Sequence, residues 1–294
     1  MNSKQVDEEH LPAWISQLKY NCPRCRRAMI QNEARPPRCE SCGFQARIDR
    51  GVYSFLAPTD SIDEWQNTYE KLATSSLGNT SMAVQYRSPL QQHYVVNAFR
   101  DLCSDLNPDA RILDVGCGNG IFWEKMLDAR PALGVDYSVG MCVLARQRGL
   151  LAFQADALAL PFADEEFDLV YSAGLLEHMA DLPALCTELA RVCRPGGRIV
   201  VGSGNRVSLA RQAMRLARKV KPHPVDSKNP PTVMWTVADI AATARQLPLE
   251  PEMACWTHFP LPWRRCSRSL RGILTPLASN VVVRLKKLPQ AENY

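Results

Sequence analysis

Short apolar runs alternate with amphipathic stretches through the middle of this chain. Ile112 to Val115, Leu133 to Asp136, the segment closing at Phe153 to Ala157, Phe167 to Ser172 and Ile199 to Val201 have strand length and are bounded by turn residues. Between them the spacing is helical: after Gly120, Ile121, Phe122, Met126 and Leu127 mark one buried face, and a helix closing at Val192 is stopped by Pro195-Gly196-Gly197. A further helix is predicted over 89–106, opened by Ser88-Pro89 and ended before Asn107-Pro108. Thr236 as N-cap with Asp239 three residues on opens another, and residues 252–257 and 280–285 read as a closing antiparallel pair. Strands and helices in this rhythm predict an α/β fold with a mostly parallel sheet covered on both faces by helices. A ligand then sits beyond the carboxyl ends of the strands.

The turn after the first of these strands carries the candidate chemistry. Asp114-Val115-Gly116-Cys117-Gly118-Asn119-Gly120 places glycines at every second position, as a backbone must when it passes close to a bound nucleotide. The spacing is G-x-G-x-G, not the G-x-G-x-x-G of dinucleotide folds. Asp136 ends the second strand 16 positions beyond Gly120, Asp156 ends the third, and Gly174-Leu175-Leu176-Glu177-His178 follows the fourth. Taken in order over residues 110–204, these motifs resemble those of the class I S-adenosylmethionine (SAM) dependent methyltransferases. The resemblance implies a Rossmann-like seven-stranded sheet, with Asp114, Gly116, Cys117, Gly118, Gly120, Asp136, Tyr137, Asp156, Ala157 and Ser172 binding SAM. Asp136 would accept from the ribose hydroxyls and Asp156 would face the adenine amino group. His178, at the pocket mouth, is either a general base or a histidine bridging backbone groups at a helix start.

Cys22-Pro23-Arg24-Cys25 and Cys39-Glu40-Ser41-Cys42 are two C-x-x-C pairs separated by thirteen residues. Two such knuckles supply the four thiolates that a tetrahedral zinc prefers, and a fully cysteine shell leaves no position open for chemistry. Two disulfides are the alternative. The other seven cysteines show no paired spacing and no signal-peptide pattern opens the chain, so a reducing cytoplasm is expected. Residues 20–57 resemble the zinc ribbon of the activator subunits of tRNA methyltransferases, and also that of the bacterial 23S rRNA guanine-N1 methyltransferases.

The organisation expected is a loose arm over 1–19, a ribbon over 20–57, connector and lid helices over 58–108, and a methyltransferase domain over 109–294 with an insertion near 206–232. Gln85, Tyr86 and Arg87 are read as pocket contacts or as solvated loop residues. Net charge is +5, yet residues 206–294 hold fifteen Lys or Arg against five acids, a surplus of +10 that leaves −5 on the rest. Basic amphipathic helices are predicted over 206–221 and 263–271. Such helices can lie on an anionic membrane, grip a phosphate-bearing partner or form a solvated face.

The reading is a SAM-dependent methyltransferase acting at a hydroxyl oxygen of a small-molecule acceptor, a natural-product, sugar or lipid-linked intermediate, with an anionic acceptor among the options. RNA base methylation is the second reading, and a SAM-binding scaffold without catalysis the third. Asn229-Pro230-Pro231 is not the base-amine motif, which belongs after the fourth strand, where this chain has Ser172-Ala173-Gly174.

Overall fold

A computed structural model describes residues 12–32, 35–57, 64–75, 89–220, 232–258, 263–267 and 275–289. The predicted parallel strands are β5 (Ile112–Val115), β6 (Leu133–Asp136), β7 (Leu151–Gln154), β8 (Phe167–Ser172) and β9 (Cys193–Gly204). The closing strands β10 (Leu249–His258) and β12 (Asn280–Lys287) run antiparallel to each other, and β12 runs antiparallel to β9. Together these give the order β7-β6-β5-β8-β9-β12-β10, the seven strands expected. The sheet does not stop there: β11 (Trp263–Ser267) extends one edge, and the hairpin β3 (Arg47–Asp49) and β4 (Val52–Ser54) extends the other, for ten strands in all.

Two readings change. Residues 263–267 form a strand, because their backbone pairs in register with β10 from Trp263 opposite His258 to Ser267 opposite Ala254. Local amphipathic spacing yields to the hydrogen bonds of an open sheet edge. That register sets Cys255 opposite Cys266 and the two are joined as a disulfide, a pairing that sequence spacing does not reveal. The predicted Pro-Gly-Gly stop instead lies inside β9: Phe167 pairs with Cys193, Leu169 pairs with Arg198, and the residues between form a bulge with Gly196 at φ +76°.

Alternate side chains of the sheet face opposite layers. Leu113, Val115, Val135, Phe153, Val283 and Leu285 face the layer that holds α6 (Leu182–Val192) and α8 (Val237–Ala244), whose start carries the expected Thr236–Asp239 capping box. Ile112, Ala152, Tyr171, Val200 and Val282 face α3 (Pro89–Leu102), α4 (Ile121–Leu127) and α5 (Val139–Gln147). The α6 helix ends on a buried cation: Lys287 Nζ donates to the Ala190 carbonyl at 2.7 Å, where the helix dipole is negative.

The ribbon is a third part of the first layer. After α1 (Ala13–Ser16) come two knuckles and the small hairpin β1 (Ile30–Asn32) and β2 (Arg35–Arg38). Its apolar residues Tyr20, Met29, Phe44 and Phe55 belong to the same core as α6 and α8. β4 pairs in parallel with β7, and the Phe55 amide donates to the Gln154 carbonyl at 2.8 Å. Phe55 stacks on Tyr20 with ring centroids 5.6 Å apart and meets the edge of Phe153 at 6.1 Å. Phe55→Ala should therefore cost about 3–5 kcal/mol of stability, the range for a fully buried aromatic. Urea unfolding reads this directly, and a loss below about 1 kcal/mol would mean the ribbon is not part of the core.

Candidate active site

The glycine turn between β5 and α4 is built by backbone hydrogen bonds. The Gly116 and Cys117 amides donate to the Val135 carbonyl at 2.8 and 3.0 Å, and Gly116, Gly118 and Gly120 all hold positive φ, a conformation that side chains rarely adopt. At Gly116 a Cβ would come within 3.0 Å of Leu175. The next strand ends on Asp136, whose two carboxylate oxygens each accept one amide: Gly118 at 2.8 Å and Ser138 at 2.9 Å. Burial pushes the Asp136 carboxyl up to about 6, the Ser138 and Gly118 amides pull against that, and the negative Glu70 adds to it.

Beyond the strand ends lies a cavity of about 390 Å³. Gly116, Asp136, Tyr137, Asp156, Ala157 and His178, six of the residues singled out from sequence, line it. Five others do not. Asp114 is buried beneath the turn and accepts from the Tyr171 hydroxyl at 2.7 Å. Cys117 is buried against Gly134, where a Cβ would come within 2.8 Å of its sulfur. Gly118 acts through its amide on Asp136, and Gly120 caps α4 in the left-handed conformation. Ser172 is fully buried at the end of β8.

One wall was not foreseen. Helix α2 (Glu64–Ala73), in the stretch read as a connector, brings Trp65, Gln66 and Tyr69 to the cavity. Trp65, Tyr69 and Leu72 recur at i, i+4 and i+7, the helical signal that could have found it. His178 closes a 3₁₀ turn over Leu175–His178, its ring centroid 3.9 Å from that of Trp65 and its Nε2 2.9 Å from the Tyr69 hydroxyl. The turn is fixed from beneath: Glu177 accepts from the Gly204 amide at 2.7 Å and Trp235 donates to the Leu176 carbonyl at 3.1 Å. Helix α3, expected among the lid helices, packs on α4 and the sheet, with Phe99 against Phe122 and Tyr171, and none of its described side chains lines the cavity. Gln85, Tyr86 and Arg87 lie outside the described residues.

The four ribbon cysteines converge. Their sulfurs lie within 4.8 Å of one another, with Cys22 to Cys42 and Cys25 to Cys39 each at 3.5 Å. The knuckles match: the Arg26 amide closes on the Cys22 carbonyl and the Gly43 amide on Cys39, with positive φ at both Arg26 and Gly43. Tetrahedral bonds of about 2.3 Å separate sulfurs by about 3.8 Å, so this donor set fits one zinc ion.

Comparison with known proteins agrees with the fold. Residues 113–201 match a family described as a methyltransferase domain. A demethylmenaquinone methyltransferase of Mycobacterium sp. (strain KMS) is 39% identical over 105 residues, which cover 35% of this chain and 46% of that protein. The chain thus spans about half the length of that relative. One from Mycolicibacterium paratuberculosis is 30% identical over 171 residues, covering 54% and 72%. A SAM-dependent methyltransferase of Thermotoga maritima superposes with a TM-score of 0.53 at 20% identity, over 67% of this chain and 90% of that one.

Burial pushes the Asp114 carboxyl up to about 8 against the pull of the Tyr171 hydrogen bond. The folded protein thus keeps a proton that the unfolded chain releases near pH 4, and its stability falls as pH rises from about 4 to about 8. Asp114→Asn keeps an acceptor for Tyr171 and removes this dependence. The variant should match the parent near pH 4 and exceed it by roughly 1–3 kcal/mol at pH 8. Equal unfolding curves at both pH values would contradict a protonated Asp114.

Proposed function

The chain belongs to the class I SAM-dependent methyltransferases, and on that premise we propose that it methylates a hydroxyl oxygen of a small, largely apolar acceptor. The observation carrying this reading is the cavity itself, with a clamped carboxylate on one side and an aromatic wall with a Tyr69–His178 pair on the other. SAM supplies an electrophilic methyl on a sulfonium. Asp136, ionised above about pH 6, keeps lone pairs for the ribose hydroxyls after accepting its two amides. Asp156, which also lines the cavity, would meet the adenine amino group, and the glycine turn would let the backbone approach.

The acceptor would lie against Trp65, Leu175 and Met179. An acceptor hydroxyl hydrogen-bonded to His178 Nε2, beside or in place of Tyr69, gives its proton to the imidazole as the oxygen takes the methyl group. Holding that oxygen in line with the sulfur-to-carbon bond and excluding water supplies the remaining rate. A flat ring suits this wall, and the relatives named for demethylmenaquinone are consistent with a ring-bearing acceptor.

The ribbon cysteines Cys22, Cys25, Cys39 and Cys42 would hold one structural zinc through their thiolates. The basic C-terminal third supports an anionic membrane surface over RNA as partner. Arg206 is spent on Asp239 and Arg211 on Ser279 and Asn280, while Leu209 and Leu216 of α7 (Leu209–Val220) are exposed. Exposed leucines favour lipid. Among the described residues no helix is long and apolar enough to cross a membrane.

Calorimetry should give a micromolar dissociation constant for S-adenosylhomocysteine, weakened by about 1.5–3 kcal/mol in Asp136→Ala. Unchanged affinity would remove Asp136 from the site. Elemental analysis should find one zinc per chain, lost in the double variant Cys39→Ser and Cys42→Ser; zinc retained by that variant would refute the ligand set. With radioactive SAM, label should enter a lipid or small-molecule extract rather than bulk RNA, and His178→Gln should lower turnover by roughly 100-fold while leaving cofactor affinity intact. Stoichiometric labelling of RNA would favour the second reading.

A further inference from the structure

Helix α2 carries three residues of the cavity wall, yet it rests on little. Its one buried apolar side chain, Leu72, joins only a small cluster with Met141 and Leu144 of α5. A helix held by so few apolar contacts belongs to the easily opened part of a fold unless something else secures it.

What secures it comes from the ribbon. Arg50 stands in the tight turn between β3 and β4, with φ +49° there and +77° at Gly51. Its Nη2 donates to Glu70 Oε2 at 2.8 Å. The other oxygen of Glu70 accepts from the Ser138 hydroxyl at 2.7 Å and from the Gly140 amide at 2.9 Å, at the N-terminus of α5. At Gly140 an added Cβ would lie 2.8 Å from the Ala73 Cβ and 3.0 Å from Glu70 Oε2, so only glycine lets the two helices come this close. An exposed ion pair alone contributes little. Here one carboxylate joins three donors from two other elements, and Ser138 in turn donates its amide to Asp136. The path runs without a gap from the ribbon hairpin through Glu70 to the cavity carboxylate; Tyr69 directly precedes Glu70, and Gln66 and Trp65 stand about one turn of α2 away.

We propose that Arg50 and Glu70 are positioning residues that latch α2 over the cavity, so that the ribbon hairpin sets how tightly the site holds its nucleoside. The latch rests on the cofactor reading above only for the identity of the ligand. Neither residue lines the cavity. The ribbon is therefore part of the active site's cover as well as part of the core.

The test compares parent, Arg50→Ala, Arg50→Lys and Glu70→Gln as full-length, metal-loaded proteins. Amide hydrogen exchange of residues 64–75 should quicken at least tenfold in Arg50→Ala, with the strands unchanged and zinc retained. S-adenosylhomocysteine should bind five- to tenfold more weakly, and Arg50→Lys should recover most of that loss, since an ammonium can still reach Glu70. Glu70→Gln should loosen α2 at least as much as Arg50→Ala. Unchanged exchange in α2 overturns the latch, and so does a loss of protection shared by the whole molecule. Because exchange needs no ligand, it decides the matter even if the parent fails to bind S-adenosylhomocysteine; that failure would sink the cofactor assignment instead.

Discussion

Two backbone amides, those of Gly118 and Ser138, converge on the carboxylate of Asp136, and the site depends on that convergence. One amide comes from the glycine turn and the other from the start of α5, so a single side chain fixes two loops relative to the strand that carries it. Its geometry is preset. The cost is a desolvated carboxyl, visible in its raised pKa and shared by Asp114 just below. Stability is thus given up at neutral pH where the chain gathers acids for polar recognition, a common tension at functional sites.

The ribbon resolves a second constraint. A parallel sheet needs cover on both faces, and the described helices on the α6 and α8 side leave β7 and its neighbours bare. Tyr20, Phe44 and Phe55 fill that space, and β4 adds to the edge of β7. The contact is also polar: Arg26, beside the first knuckle, donates to the Leu158 carbonyl at 3.0 Å and to Glu188 at 2.5 Å, and Glu188 accepts the Leu160 amide at 2.7 Å. The loop that carries Asp156 and Ala157 is thereby tied to the four-cysteine cluster. Ribbon and sheet share one core, which is why a boundary near residue 57 marks a change of sequence pattern more than a seam in the structure.

What the sequence disclosed follows from the range of the forces involved. The strands, the glycine turn, the acids at the strand ends and the Thr236–Asp239 cap are local patterns, and each was legible. The C-x-x-C pairs were legible too, because two knuckles carry their ligand spacing within themselves. Residues 263–267 were not, since their strand exists through pairing with β10, and the Cys255–Cys266 bond depends on that same register. Asp114 and Ser172 belong to the expected motifs, but burial depth is a tertiary property and set both below the cavity. Trp65 and Tyr69 stand four residues apart, on one face of a helix. Their place over His178 depends on Glu70 reaching α5, a contact across 70 residues of chain.

The most direct test of this account is a crystal structure of the metal-loaded protein with S-adenosylhomocysteine. The account predicts the ribose hydroxyls within hydrogen-bond distance of the Asp136 carboxylate, the adenine beside Asp156 and Ala157, and the thioether directed toward the Trp65, Tyr69 and His178 wall. A nucleoside bound elsewhere, or one bound here with Asp136 out of reach of the ribose, would contradict it.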